Sequence, residues 1–165
     1  MTTKKLTSMS LLIALSIILS IVDSFIPSFV PGMKLGLANV IILVVLYGYG
    51  FKEAFLINIA RVLIASLLRG SFLSMGFFMS LSGAIVSLII MWILKKFIKN
   101  IHIVGVSVVG SLFHSAAQIC VGMLYLSTTS LIYYLPILAL TSIITGVFVG
   151  LTAGLINKKD FLKEK

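Results

Sequence analysis

Apolar residues occur along this chain in blocks long enough to cross a bilayer, and each block is closed by lysine, proline, glycine or a string of hydroxyl residues. Residues 6–22 carry no charge, and the run extends to about residue 26, where Pro27 stops a helix by fixing φ and removing a donor. Residues 35–50 form a second run, helical in pattern over 35–47 and closed by Gly48 and Gly50. A third helix is expected over 52–69, ended by Arg69-Gly70-Ser71, and a fourth over 71–95, ended at Lys95-Lys96. Residues 100–157 contain no Lys, Arg, Asp or Glu, which is too long for one helix and suits two. Ser127-Thr128-Thr129-Ser130 is the natural turn, because hydroxyls satisfy freed backbone groups. The fifth and sixth helices are then placed at 102–126 and 131–156, with Pro136 in the first turns of the sixth, where it is tolerated. A span needs about 20 apolar residues. The expectation is therefore an all-α fold: one integral membrane domain over 1–165, a bundle of six transmembrane helices.

Composition supports lipid as the solvent. The chain is 60% hydrophobic and 10% charged, whereas soluble domains are about 45–50% apolar and about 25% charged. Its mean hydropathy is +1.23. Lys4 and Lys5 ahead of an apolar run open like a signal peptide, but no small-x-small cleavage pattern follows, so this run reads as a retained first span.

The net charge is +9, and its placement excludes a nucleic-acid face. Lys4, Lys5, Lys52, Lys95, Lys96, Lys99, Lys158, Lys159, Lys163 and Lys165 fall at one set of helix ends, and Lys34 and Arg69 at the other. This is the positive-inside pattern, which predicts a multi-pass cell-membrane protein with both termini cytoplasmic, N-in and C-in.

Small residues mark where helices approach. Ser142, Gly146, Gly150 and Gly154 recur every fourth residue in the sixth helix, and Ser10 with Ala14 and Ser16 with Ser20 do so in the first. The lone Cys120 lies in an apolar run and reads as a small buried hydrophobe.

Candidate chemistry gathers around a broken, polar stretch. Two prolines, Pro27 and Pro31, stand with Asp23, Lys34 and Asn39 between hydrophobic runs, and such segments are where membrane proteins place sites. Arg61 is the single cation near mid-span, with Asn58 three residues earlier on the same face. Placing Arg there costs at least about 2.5–3.5 kcal/mol, so it needs partners or a wet cavity, and its planar fork suits carboxylate or phosphate. His114 and Gln118 lie one turn apart in the fifth helix, flanked by Gly110 and Gly122 on the same stripe. The expected site is an outward-opening polar pocket lined by Lys34, Asn39, Arg61, His114 and Gln118, with Asp23 and Asn58 beside it. It suits a small anionic or amphipathic ligand.

No catalytic or metal-binding set is expected, and no cofactor. Four acidic residues never cluster, so the Asp-rich, magnesium-holding chemistry of prenyl diphosphate synthases cannot be assembled within one chain. No P-loop is present, and His102 and His114 lack partners for a metal site.

Pro31-Gly32-Met33-Lys34-Leu35-Gly36-Leu37-Ala38-Asn39, Arg61, Ser82-Gly83, Gly105-Val106-Ser107, Gly110, His114, Gln118, Tyr134-Leu135-Pro136 and Thr145-Gly146 together resemble heptaprenyl diphosphate synthase component I, also called the Gx transporter family. Asp23 stands where that family often shows Glu, and Ala84 where a second Gly is common. The family label implies a non-catalytic membrane subunit of polyprenyl diphosphate synthesis for menaquinone, partnered with a soluble prenyl synthase subunit. The family's short helices are also similar to S components of energy-coupling-factor transporters, which implies uptake of a vitamin, flavin or isoprenoid precursor with a coupling subunit and an ATPase pair. Some relatives imply a third role, in quinone- or flavin-linked extracellular electron transfer.

Overall fold

In the computed structural model, residues 3–26, 36–98 and 100–158 are described. Six α-helices follow in order: α1 (Thr3–Phe25), α2 (Asn39–Gly48), α3 (Phe51–Leu68), α4 (Met75–Phe97), α5 (Ile103–Leu126) and α6 (Leu135–Lys158). A short 3-10 helix, Ser130–Tyr134, leads into α6, and the described residues contain no strand. Four segments are long and apolar enough to cross a membrane, built on α1, α4, α5 and α6. In hydrocarbon, helices are favoured because they satisfy every backbone group internally, even through β-branched runs such as Val40-Ile41-Ile42.

The ends follow local chemistry. Ser74 caps α4 by accepting from the Phe77 N–H at 3.4 Å, so the helix starts at Met75 rather than near residue 71. Gly70 closes the α3 end with φ of 64°. Ser127 turns the chain after α5 in the left-handed region at φ 50°. Pro136 is the second residue of α6, where its missing donor costs nothing.

The main departure from the sequence expectation is α2. A span over 35–50 was expected, whereas the helix is only Asn39–Gly48, 10 residues, or about 15 Å, half the hydrocarbon thickness. It is apolar all round and buried from Asn39 to Leu46, as a helix enclosed by others must be. It touches α1, α3, α4 and α6.

Its ends set the levels of the bundle. Lys95 Nζ donates to Leu46 O at 2.8 Å, near the C-terminus of α2. Lys5 and Glu53 pair at 2.6 Å, joining the starts of α1 and α3 at that same end. The Phe51 and Trp92 rings, 5.0 Å apart, bring α4 to this level. Asn39 meets Arg61, eight residues past Glu53, or about 12 Å along α3. The N-terminus of α2 therefore lies inside the bundle, not at its edge.

α5 packs on α4 and on α6. A Cβ on Gly146 would stand 2.7 Å from Val108 Cα, and one on Gly150 would stand 2.6 Å from Val104 Cα. The glycine ridge of α6 thus seats backbone against backbone on α5. Ser16 and Ser20 face inward on α1, while Ser10 and Ala14 are exposed. Cys120 is exposed, which corrects its reading as a buried hydrophobe. In a chain whose outer surface is apolar, an apolar run carries no sign of which face is inside.

Candidate functional site

Asn39, Asn58 and Arg61 form one hydrogen-bonded unit across two helices. Arg61 Nε donates to Asn58 Oδ1 and Arg61 Nη2 to Asn39 Oδ1, both at 2.9 Å. Asn58 Nδ2 in turn donates to Ala84 O on α4 at 2.7 Å. Asn58 and Arg61 meet because three helical residues bring side chains onto one face. Asn39 reaches them because α2 begins at their level. All three are buried, Arg61 to 4% exposure.

No ion pair within 4 Å joins the Arg61 guanidinium to a carboxylate of the described residues. Two of its five N–H donors go to neutral amides. Neutral acceptors orient the cation without cancelling its charge, and the negative group that faces it is Asp23, in the lining of the same cavity.

Asp23 closes another side. Its Oδ2 accepts from Gly36 N at 2.8 Å and from Leu37 N at 3.3 Å, so α1 holds the turn that opens α2. Gly36 sits at φ 85°, and a Cβ there would stand 3.0 Å from Asn39 Nδ2. The positive φ favours glycine, and the nearby amide leaves little room for a Cβ. A negative group here also complements the N-terminal dipole of α2.

His114 and Gln118 lie on α5 with Gln118 Nε2 at 3.2 Å from His114 Nε2. The glycine that makes room for them is Gly83, whose Cβ would lie 3.0 Å from His114 Nε2 and 3.1 Å from Gln118 Cγ. Gly110 and Gly122, expected to leave open space beside this pair, do not. Met91 Cγ occupies the space before Gly110, 2.5 Å from its would-be Cβ, and Leu131 Cδ1 lies 3.0 Å from that of Gly122.

Ser20, Asp23, Gly36, Arg61, Val62, Ser80 and His114 line a shared cavity of about 10 Å³, the size of one water. Five elements meet there: α1, the turn before α2, α3, α4 and α5. Gln118 and the two asparagines support this wall from behind. Lys34 lies outside the described residues. Among the described residues this cavity is small, because close helix contacts at glycine and serine draw its walls together. Ser20, Ser80, Gly36 and Gly83 were not singled out for it. The usable signals were Ser20 one turn before Asp23, and Ser80 one turn before Ala84, whose carbonyl Asn58 holds.

Among the described residues no three His, Cys, Asp or Glu side chains gather as a metal site. The arrangement can hold a buried cation, hydrogen-bond a small polar group at Arg61, Ser80 and His114, and couple α1 to the start of α2.

Half-length and full-length helices around a buried arginine layer, four of them in segments long and apolar enough to cross a bilayer, define an all-helical protein with an internal polar centre that fits a membrane. The chain belongs to the heptaprenyl diphosphate synthase component I family, whose sequence model matches residues 12–156. No curated protein and no solved structure matches it.

Proposed function

We propose that this is a six-span cell-membrane protein, with both termini cytoplasmic, that binds a small anionic or amphipathic ligand at the Arg61 layer and works with partner subunits. The observation that carries this reading is a buried guanidinium held by two neutral amides at the edge of a cavity shared with Asp23, Ser80 and His114. Lysines 5, 95 and 96 lie at one end of the bundle and Arg69 at the other, which supports an N-in, C-in orientation by charge bias. α3, with Lys52, Glu53 and Arg61, and the short α2 complete the six crossings in this reading.

A cavity of one water does not admit a vitamin or flavin. The reading requires a second, open arrangement in which the α1 end bearing Ser20 and Asp23 moves away from the Arg61 layer. Uptake of a vitamin, flavin or isoprenoid precursor, in the manner of an S component with a coupling subunit and an ATPase pair, is the role we favour. The second reading follows from the family's name: a non-catalytic partner of a soluble prenyl synthase, or, more distantly, a quinone-linked electron-transfer component.

Ligand-dependent thermal stabilisation of the purified protein is the test, with flavins, thiamine-like precursors, prenyl diphosphates and menaquinone as probes. A ligand at 100 times its Kd adds about 2.7 kcal/mol of stability. Arg61→Ala should abolish the shift while the protein stays folded. A shift confined to prenyl diphosphates, with co-purification of a soluble synthase, would replace uptake by the accessory role.

A further inference from the structure

A second and much larger cavity, about 690 Å³, lies at the opposite level of the bundle, between the C-terminus of α2, the N-terminus of α5 and the C-terminus of α6. That volume is in the range of small-molecule sites, about 300–1,000 Å³. Its walls divide by chemistry. Val104, Leu151 and Leu155 form an apolar side, and Leu151 and Leu155 are 55% and 66% exposed toward the bundle exterior. Tyr47, Asn100, His102, Asn157 and Lys158 form the polar side, with no Asp or Glu among the described lining residues.

Two features of the polar side favour an anion, against the carbonyl ends of α2 and α6 that also border the cavity. Lys158 brings a full positive charge. Asn157 borders the cavity, although its Nδ2 is closed to solvent. The first turn of α5 also borders the cavity, and His102, its N-cap, makes no side-chain capping bond, so its N–H groups add a partial positive charge. Lys95, stacked 4.7 Å from the ring of Tyr47, places the cavity at the lysine-rich level.

We propose that this cavity binds a phosphate-bearing amphiphile, its head held by Lys158, His102 and the start of α5, its hydrocarbon chain lying along Val104, Leu151 and Leu155. The site is separate from the Arg61 layer and stands whether or not a ligand binds there. The same chemistry has two sources, a bilayer phospholipid or a free alkyl phosphate.

The probe is dodecyl phosphate with a diazirine at the chain end, photolysed with the full-length protein in phosphatidylcholine nanodiscs. Label is expected on residues 100–104 and 147–158, displaced by unlabelled dodecyl phosphate but not by inorganic phosphate or dodecanol. Displacement by added phosphatidic acid assigns the occupant to the bilayer, and its failure assigns it to a free amphiphile. Lys158→Glu should weaken displacement about tenfold, whereas Lys96→Glu, the same charge change outside the cavity, and Arg61→Ala should leave it unchanged. Equal competition by dodecanol, label spread without saturation over the lipid-facing helices, or equal loss in Lys96→Glu overturns the proposal.

Discussion

At the residue scale the protein turns on how Arg61 is kept in oil. Its hydrogen-bond partners are amides, which orient the charge, while Asp23 faces it across the shared cavity. Asn58 does two jobs, accepting from Arg61 and donating to Ala84 O. Asn58→Leu should therefore destabilise by about 1–3 kcal/mol, the cost of leaving buried polar groups unmade, measured by thermal or denaturant unfolding in detergent. Combined with Arg61→Met, the loss should fall well short of the sum of the single changes, since each removes the same bond. Additive losses would mean the two side chains do not interact. Arg61 and Asn58 were legible in the sequence as one face of one helix. That Asn39 completes the unit was not, because residues 22 positions apart share no periodicity.

At the scale of the elements, the contact between α5 and α6 depends on glycines that admit backbone. Their roles differ along the ridge. The Cβ of an alanine at 150 would stand 2.6 Å from Val104 Cα, whereas at 154 it would meet Ile103 Cγ2 at 3.2 Å. A backbone atom cannot step aside and a side-chain methyl can. Gly150→Ala should thus cost about 1–3 kcal/mol as an overpacked contact, and Gly154→Ala clearly less. Equal melting temperatures for the two variants would show that the helices are not seated as described. The short α2 is the other decisive element. Ten residues enclosed by four helices make a buried half-span, and Asp23 anchors its opening turn. Asp23→Asn keeps the shape but weakens the acceptor for two N–H groups. It should raise hydrogen–deuterium exchange at Gly36 and Leu37 more than in α4 or α5, as read by mass spectrometry. Uniform exchange across the bundle would instead indicate global destabilisation.

For the whole molecule, the orientation is open to a direct measurement. In a Cys120→Ala background, which removes an exposed thiol, a cysteine at Arg69 should react with a membrane-impermeant maleimide in intact cells, and one at Lys96 only after the cells are opened. The reverse pattern would invert the bundle and put the Arg61 cavity nearer the cytoplasmic face. The sequence by itself determined the apolar solvent, the helical class, most helix breaks but not the starts of α2 and α4, the segregation of lysine and the family, because hydropathy, charge and turn chemistry act locally along a chain. It did not determine which glycines open space and which are filled, the half-length of α2, the exposure of Cys120, or the one-water size of the cavity at Arg61. Those depend on how each helix is rotated against its neighbours. When the surrounding medium is as apolar as the interior, helical periodicity does not distinguish a face turned toward lipid from one turned toward protein, and only the packed bundle decides it.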